Sequence, residues 1–395
     1  MTAAGAPLVF VVAGEESGDR LGAALIEALR RRGGEGVRFA GIGGDAMAGQ
    51  GVASPFPIGE LAVVGFGVAR RLPLILRRIR EAAAAVVAAR PDVLVIVDSP
   101  EFTHRIARRV RKAAPQIPIV DYVAPSVWAW RPWRARAMRR HVDHVLALLP
   151  FEPAALGRLG GPPCTFVGHP LAESVHLLRP NEAETQRRRA DPPVVLMLPG
   201  SRHGELRRML PVFSAAIERL AQRAGAIELV VPTVPHLADA VHAAASTWRL
   251  QPRILVDAAE KQAAFRMARA ALAKSGTVTL ELALAGVPTV AAYKVSRLEE
   301  FVARRMIRVP SVILANLVLG DNVVPEFLQD ACTPEALARA LAPLLADTPA
   351  RRRQTDAFAR LDAIMRIGSA RPSERAAEVV LEVMRRSAGL GRDGA

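Results

Sequence analysis

The residues best placed to do chemistry sit on four turns, two acidic and two basic. Asp98 ends the apolar run Pro91–Val97 and is followed by Ser99-Pro100-Glu101. Ligands of open α/β sheets bind outside the carboxyl ends of the strands, so a carboxylate there stands where a general base acts. Asp98 and Ser99 are equally good caps for a following helix. The second acidic turn, Gly14-Glu15-Glu16-Ser17-Gly18-Asp19, follows the run Pro7–Ala13 at the position of a dinucleotide loop. Its carboxylates would repel a pyrophosphate. It suits a neutral hydroxylated ligand or the positioning of a base, and plain helix capping by Ser17 or Asp19 is the alternative.

The basic turns lie in the second half. Gly200, Ser201 and Arg202 stand at a helix start after the run Val194–Leu198, where backbone N–H groups and a guanidinium suit a pyrophosphate. Ser275, Gly276 and Thr277 turn from a short apolar run into a helix, with hydroxyls at Ser275, Thr277 and Thr279 as added donors. Glu281 lies about one helical turn beyond Thr277, within reach of a ribose diol. An ordinary helix start gives the same local signal. Asn316, and Glu326 with Gln329 on one expected helix face, are further candidates to line the cleft.

Strand and helix patterns alternate along the chain, giving an α/β class. At 395 residues two domains are expected. The charged, proline-flanked stretch 179–193 reads as the linker between residues 1–178 and 194–365. Residues 366–395 read as an amphipathic helix packing back on a domain, with a frayed tail.

Lys+Arg 53 against Asp+Glu 38 gives a net charge of +15, which points to nucleic acid, an anionic membrane face or phosphorylated substrates. Arginines scattered on solvated helix faces explain it equally. The two cysteines carry no metal spacing and suit a reducing compartment. The N-terminus reads as a first strand rather than a signal peptide, and no apolar run reaches the ~18 residues of a membrane span. Ile58–Arg90 interleaves apolar residues with arginines, as a helix in a membrane interface does, or as a core helix with a basic outer side. Trp128, Trp130 and Trp133 stand among arginines in a cluster that suits sugars, a membrane interface or bases.

The motifs AGEESGD (13–19), GIGGDAM (41–47), ELAVVGF (60–66), VDSPEF (97–102), APSVWAWR (124–131), LPFE (149–152), VGHPLAE (167–173), LPGSR with Glu205, SGTVTLE (275–281) and VPEFLQD (324–330) occur in the order of one family. The chain resembles the lipid-A-disaccharide synthase family nearly end to end. Glu16 departs from the expected alanine, and LAN around Asn316 departs from LPN.

The resemblance implies a GT-B fold, two Rossmann-like domains facing across a cleft, with the acceptor in the first and the nucleotide donor in the second. It implies inverting transfer from UDP-2,3-diacylglucosamine to 2,3-diacylglucosamine 1-phosphate, giving a β(1→6) disaccharide and UDP without metal or cofactor. Asp98 is then the expected base, with Glu15 the alternative, and Ser17 and Asp19 belong to the acceptor loop. Gly200, Ser201, Arg202, Ser275, Gly276, Thr277, Glu281, Asn316, Glu326 and Gln329 are the expected donor residues. Acylated substrates imply a cytoplasmic enzyme peripheral on the anionic inner-membrane surface, with Ile58–Arg90 and Trp128–Trp133 as docking candidates. Nucleic acid is not an expected partner, and a homodimer is left open.

Overall fold

In a computed structural model the described residues are 6–34, 36–61, 68–296, 300, 309–366 and 370–390. They form two compact units, residues 1–172 with 366–395, and residues 173–365.

The first unit holds six parallel strands, β1 (Leu8–Ala13), β2 (Arg38–Ile42), β3 (Val93–Val97), β4 (Ile119–Tyr122), β5 (His144–Ala147) and β6 (Cys164–Phe166). The runs LVFVVA and VLVIV are apolar on both faces because helices cover both sides of the sheet. On one face the helix Pro100–Ala113 buries Phe102, Ile106, Ala107 and Val110, next to Ile79, Ala82 and Val86 of the helix Val68–Ala89. On the other, Leu25, Ile26 and Leu29 of the helix Glu16–Gly33 pack with Ala376, Ala377, Val380 and Val383 of the helix Pro372–Leu390. The strand order is β2-β1-β3-β4-β5-β6. It reverses direction between β1 and β3, where Ala13 pairs with Val97. The loops after these two strands therefore emerge side by side, at the point where doubly wound sheets bind ligands.

The second unit repeats the plan with β7 (Val194–Leu198), β8 (Glu228–Pro232), β9 (Arg253–Leu255), β10 (Ala270–Lys274), β11 (Thr289–Tyr293) and β12 (Glu326–Leu328), in the order β12-β11-β10-β7-β8-β9. Here the reversal falls between β7 and β10. It brings the turns after Leu198 and after Lys274 together.

The stretch 179–193 read as a linker lies inside the second unit. Asn181 and Glu184 form a reciprocal cap on the helix Glu182–Arg189. Arg188 then donates to the carbonyls of Phe265, Arg266 and Ala285. Its charge thus anchors the segment to a domain. Local composition shows the polarity but not these distant acceptors.

The tryptophan cluster divides. Trp128 Nε1 donates to Glu152 Oε1 at 3.1 Å and its ring meets Phe151 edge to face, whereas Trp133 is 64% exposed. Glu152 is buried and also accepts from Leu149 N at 2.9 Å. Burial pushes its carboxyl up from 4.5 to about 7. Because the folded value is the raised one, the folded state holds the proton longer. Its stabilising effect is complete below the unfolded value and is lost as pH rises through about 7. Glu152→Gln should remove this slope: relative to the variant, wild type should lose about 2–3 kcal/mol between pH 4.5 and pH 8 in urea unfolding.

Of the interfacial face expected over 58–90, residues 62–67 and the side chains of 61 and 68–71 lie outside the described residues. Within the described part, Arg78 pairs with Glu60 at 2.7 Å and Glu81 at 2.8 Å, and Arg77 with Glu81 at 2.7 Å.

Candidate active site

In the first unit the switch point carries Asp98. Its backbone and that of Ser99 are left-handed, at φ 53° and 45°, a conformation in which consecutive non-glycine residues store about 1–3 kcal/mol each. The strain is held by a web of bonds. Asp98 N donates to Tyr122 O at 3.0 Å, Thr103 Oγ1 donates to Asp98 O at 2.7 Å, and Ser99 N donates to Asp98 Oδ1 at 2.8 Å. The other carboxylate oxygen, Oδ2, accepts from Ser17 Oγ at 3.2 Å. Ser99, not Asp98, is the N-cap of the helix Pro100–Ala113, and no side chain caps that helix. The capping alternative therefore does not account for Asp98.

The loop after β1 lies against this turn. A Cβ on Gly18 would stand 3.1 Å from Val97 O, so a larger residue would push the two segments apart by a few tenths of an ångström. Glu15, Glu16 and Ser17 are exposed beside Asp98. Asp19 behaves differently from its expected acceptor role. It is 2% exposed and accepts from Gly44 N at 2.7 Å, Ala46 N at 2.9 Å and Met47 N at 3.1 Å. It ties the GIGGDAM turn to the first loop and has no oxygen left over. Asp19→Ala should cost about 3 kcal/mol in urea unfolding, because three N–H groups lose their acceptor.

In the second unit the turns after β7 and β10 wall a cavity of about 360 Å³. Gly200 has φ 122°, and a Cβ there would meet the Glu205 side chain at 2.6–2.7 Å. Glu205 is the buried keel of this turn. Its Oε2 accepts from Ser201 N at 3.1 Å and its Oε1 lies 3.0 Å from Lys274 Nζ. Lys274 also sits 4.4 Å from the centre of the Tyr293 ring. Arg202 is mostly exposed at the mouth, and the helix His203–Ala224 starts behind it. Lys261 pairs with Glu281 at 2.9 Å, and both line the cavity. Thr233 Oγ1, on the same wall, is buried without a partner among the described residues.

Gly200, Ser201, Arg202, Gly276, Thr277 and Glu281 are thus brought together around one cavity. The others are placed elsewhere. Ser275 Oγ donates to Val312 O at 3.4 Å, and Thr279 Oγ1 donates to Gly276 O at 2.7 Å, so these hydroxyls serve the turn. Asn316 Oδ1 accepts from Val323 N and Val324 N while its Nδ2 donates to Val324 O, a closed set of bonds inside the domain. Glu326 and Gln329 do not share a helix face: Glu326 opens β12 and Gln329 starts a short 3-10 turn. Their Oε1 atoms accept from Val312 N and Val295 N. None of these three lines the cavity.

Sequence reasoning missed the two lysines. Lys274 ends a strand, where a lone cation in an apolar run is the only available signal. Lys261 carries no motif at all. Among the described residues no group of three or more His, Cys, Asp or Glu is placed to hold a metal ion.

Solved structures with this architecture include MurG of Acinetobacter baumannii, at TM-score 0.55 and 18% identity over 95% of this chain and 99% of that one. A co-structure of S. aureus MnaA with UDP gives 0.61 at 12% identity over 97% of each chain. At such identities the likeness concerns the fold, which is GT-B with two Rossmann-like units. The lipid-A-disaccharide synthase of Nitrobacter hamburgensis is 61% identical, over 96% of each chain, and that of Rhodospirillum centenum is 44% identical over 98% and 97%. The family model described as lipid-A-disaccharide synthetase matches residues 9–380. With that match and relatives of such identity along its length, the chain belongs to the lipid-A-disaccharide synthase family of glycosyltransferases.

Proposed function

We propose that the chain transfers a diacylglucosamine unit from UDP-2,3-diacylglucosamine to the 6-hydroxyl of 2,3-diacylglucosamine 1-phosphate, with inversion at the anomeric carbon. The acceptor oxygen forms a bond to that carbon while the carbon–oxygen bond to UDP breaks. The hydroxyl proton passes to Asp98, whose Oδ2 is held by Ser17. Glu15, exposed on the neighbouring loop, is the alternative base. UDP departs with one added negative charge on its terminal phosphate, which Arg202, Lys274, the Ser201–Arg202 backbone and the helix start at Thr277 are suited to stabilise. Glu281 and Lys261 would hold the ribose end.

The observation that carries this reading is Asp98 itself, left-handed at the switch point, with Ser99 N on one carboxylate oxygen and Ser17 Oγ of the neighbouring exposed loop on the other. Among the described residues no helix is long and apolar enough to cross a membrane. Acyl chains of both substrates would then stay in the inner membrane while the protein works on its cytoplasmic face. The test is UDP release from UDP-2,3-diacylglucosamine with and without the acceptor. Acceptor-dependent release supports the reaction, and equal release in both cases overturns it.

A further inference from the structure

A second cavity, of about 470 Å³, lies on the first unit between the helices Pro100–Ala113 and Trp133–Met138. His104, Arg108, Arg111 and Lys112 follow one another at helical spacing and so share one face of the first helix. Trp133, Arg134 and Met138 come from the second, and Arg140 and His141 from the turn after it. The lining includes five Lys or Arg side chains and no carboxylate. Arg134 is neutralised by Glu101 at 2.7 Å, and Arg111 by Asp143. Arg108, Lys112 and Arg140 have no ion-pair or hydrogen-bond partner among the described residues.

The floor is built rather than incidental. His104 Nδ1 and His141 Nε2 lie 3.0 Å apart, and both rings are buried, at 3% and 4% exposure. His104 Nε2 stands 3.1 Å from Asp121 Oδ2, so the nearest buried carboxylate is already taken up. Burial first, then the charges of His104, Arg108 and Arg111, pushes His141 down to about 3. One wall, Pro125, Val127 and Met138, is apolar, and Trp133 stands exposed at its edge.

We infer that this cavity binds a phosphomonoester, with Arg108, Lys112 and Arg140 on the phosphate and the apolar wall against the organic group that carries it. Three unpaired cations around one cavity match a dianion better than a single carboxylate. The size suits a small headgroup. The site is separate from the donor cavity, which lies in the other unit, and it does not depend on which sugars react.

The test titrates wild type and the double variant Arg108→Ala/Arg140→Ala with two classes of probe. The soluble class is inorganic phosphate and glucose 1-phosphate, read by calorimetry. The lipid class is phosphatidylcholine vesicles with and without phosphatidic acid, read by sedimentation. Because the donor cavity also holds cations, the readout is the difference between the two proteins. Loss of two charge-assisted contacts should weaken binding at least about tenfold. A difference with soluble phosphates identifies a free phosphorylated compound, and a difference only with phosphatidic acid identifies a lipid headgroup. Equal binding by both proteins in both arms overturns the site. Lys112→Glu, at an exposed position, should reproduce the loss without touching the histidine floor.

Discussion

Asp98→Asn should lower acceptor-dependent UDP release by about 10²–10⁴-fold, the usual contribution of a positioned base, while the protein stays folded. The amide is the discriminating change because nearly everything else is kept. Asparagine tolerates the left-handed backbone as well as aspartate does, so the strain at φ 53° does not increase. Its carbonyl oxygen still accepts from Ser99 N, and its volume is the same. What disappears is the capacity to take a proton. Unfolding by urea should therefore be within about 0.5 kcal/mol of wild type, as for substitutions that leave packing intact. A folded variant with near-normal turnover would remove Asp98 as the base and shift attention to Glu15, where Glu15→Gln is the corresponding experiment. Ser17→Ala should fall between, since it loosens Oδ2 without removing the base.

Asp98 was legible because a buried strand announces its own end: five wholly buried apolar residues followed by a carboxylate place that carboxylate at the sheet's edge. The same logic found Ser201 and Arg202 after β7. It could not separate Asp19 from Glu15, two acids in one loop. The difference lies in three backbone N–H groups more than twenty residues away, which turn Asp19 inward. Asn316, Glu326 and Gln329 have placements the sequence could not show, for a related reason. Polar residues near a suspected cleft look like ligand contacts, but each is spent on a backbone group brought close only by the fold. The pairing of His104 with His141 across 37 positions, and of Lys274 with Glu205, has no local signature either. Both units read as α/β from their runs of buried strands. Their reversal points, which decide where ligands go, are properties of strand order and emerge only from the pairing.

Glu205→Ala is expected to be the most damaging change in the donor half. Glu205 does three things at once: it receives Ser201 N–H, neutralises Lys274, and fills the space under Gly200 that no Cβ can enter. Removing it leaves Lys274, 16% exposed, without its partner, and breaking a buried pair in this way costs about 3–5 kcal/mol. The partial exposure of Lys274 puts the expected loss at the low end, about 3 kcal/mol in urea unfolding. The Ser201 amide also loses its fixed direction. UDP affinity, measured by calorimetry on the fraction that remains folded, should weaken about tenfold or more, as when an aligned donor to phosphate is lost. Glu205→Gln separates the two causes. Its amide oxygen still receives Ser201 N–H, so the turn keeps its shape while the charge is gone. If orientation governs the donor site, the glutamine variant binds UDP nearly as well as wild type although it is less stable. If the balance of charge around Lys274 governs it, removing one negative charge beside a phosphate tightens UDP instead. Wild-type affinity in Glu205→Ala would sink both accounts and place the nucleotide away from this turn.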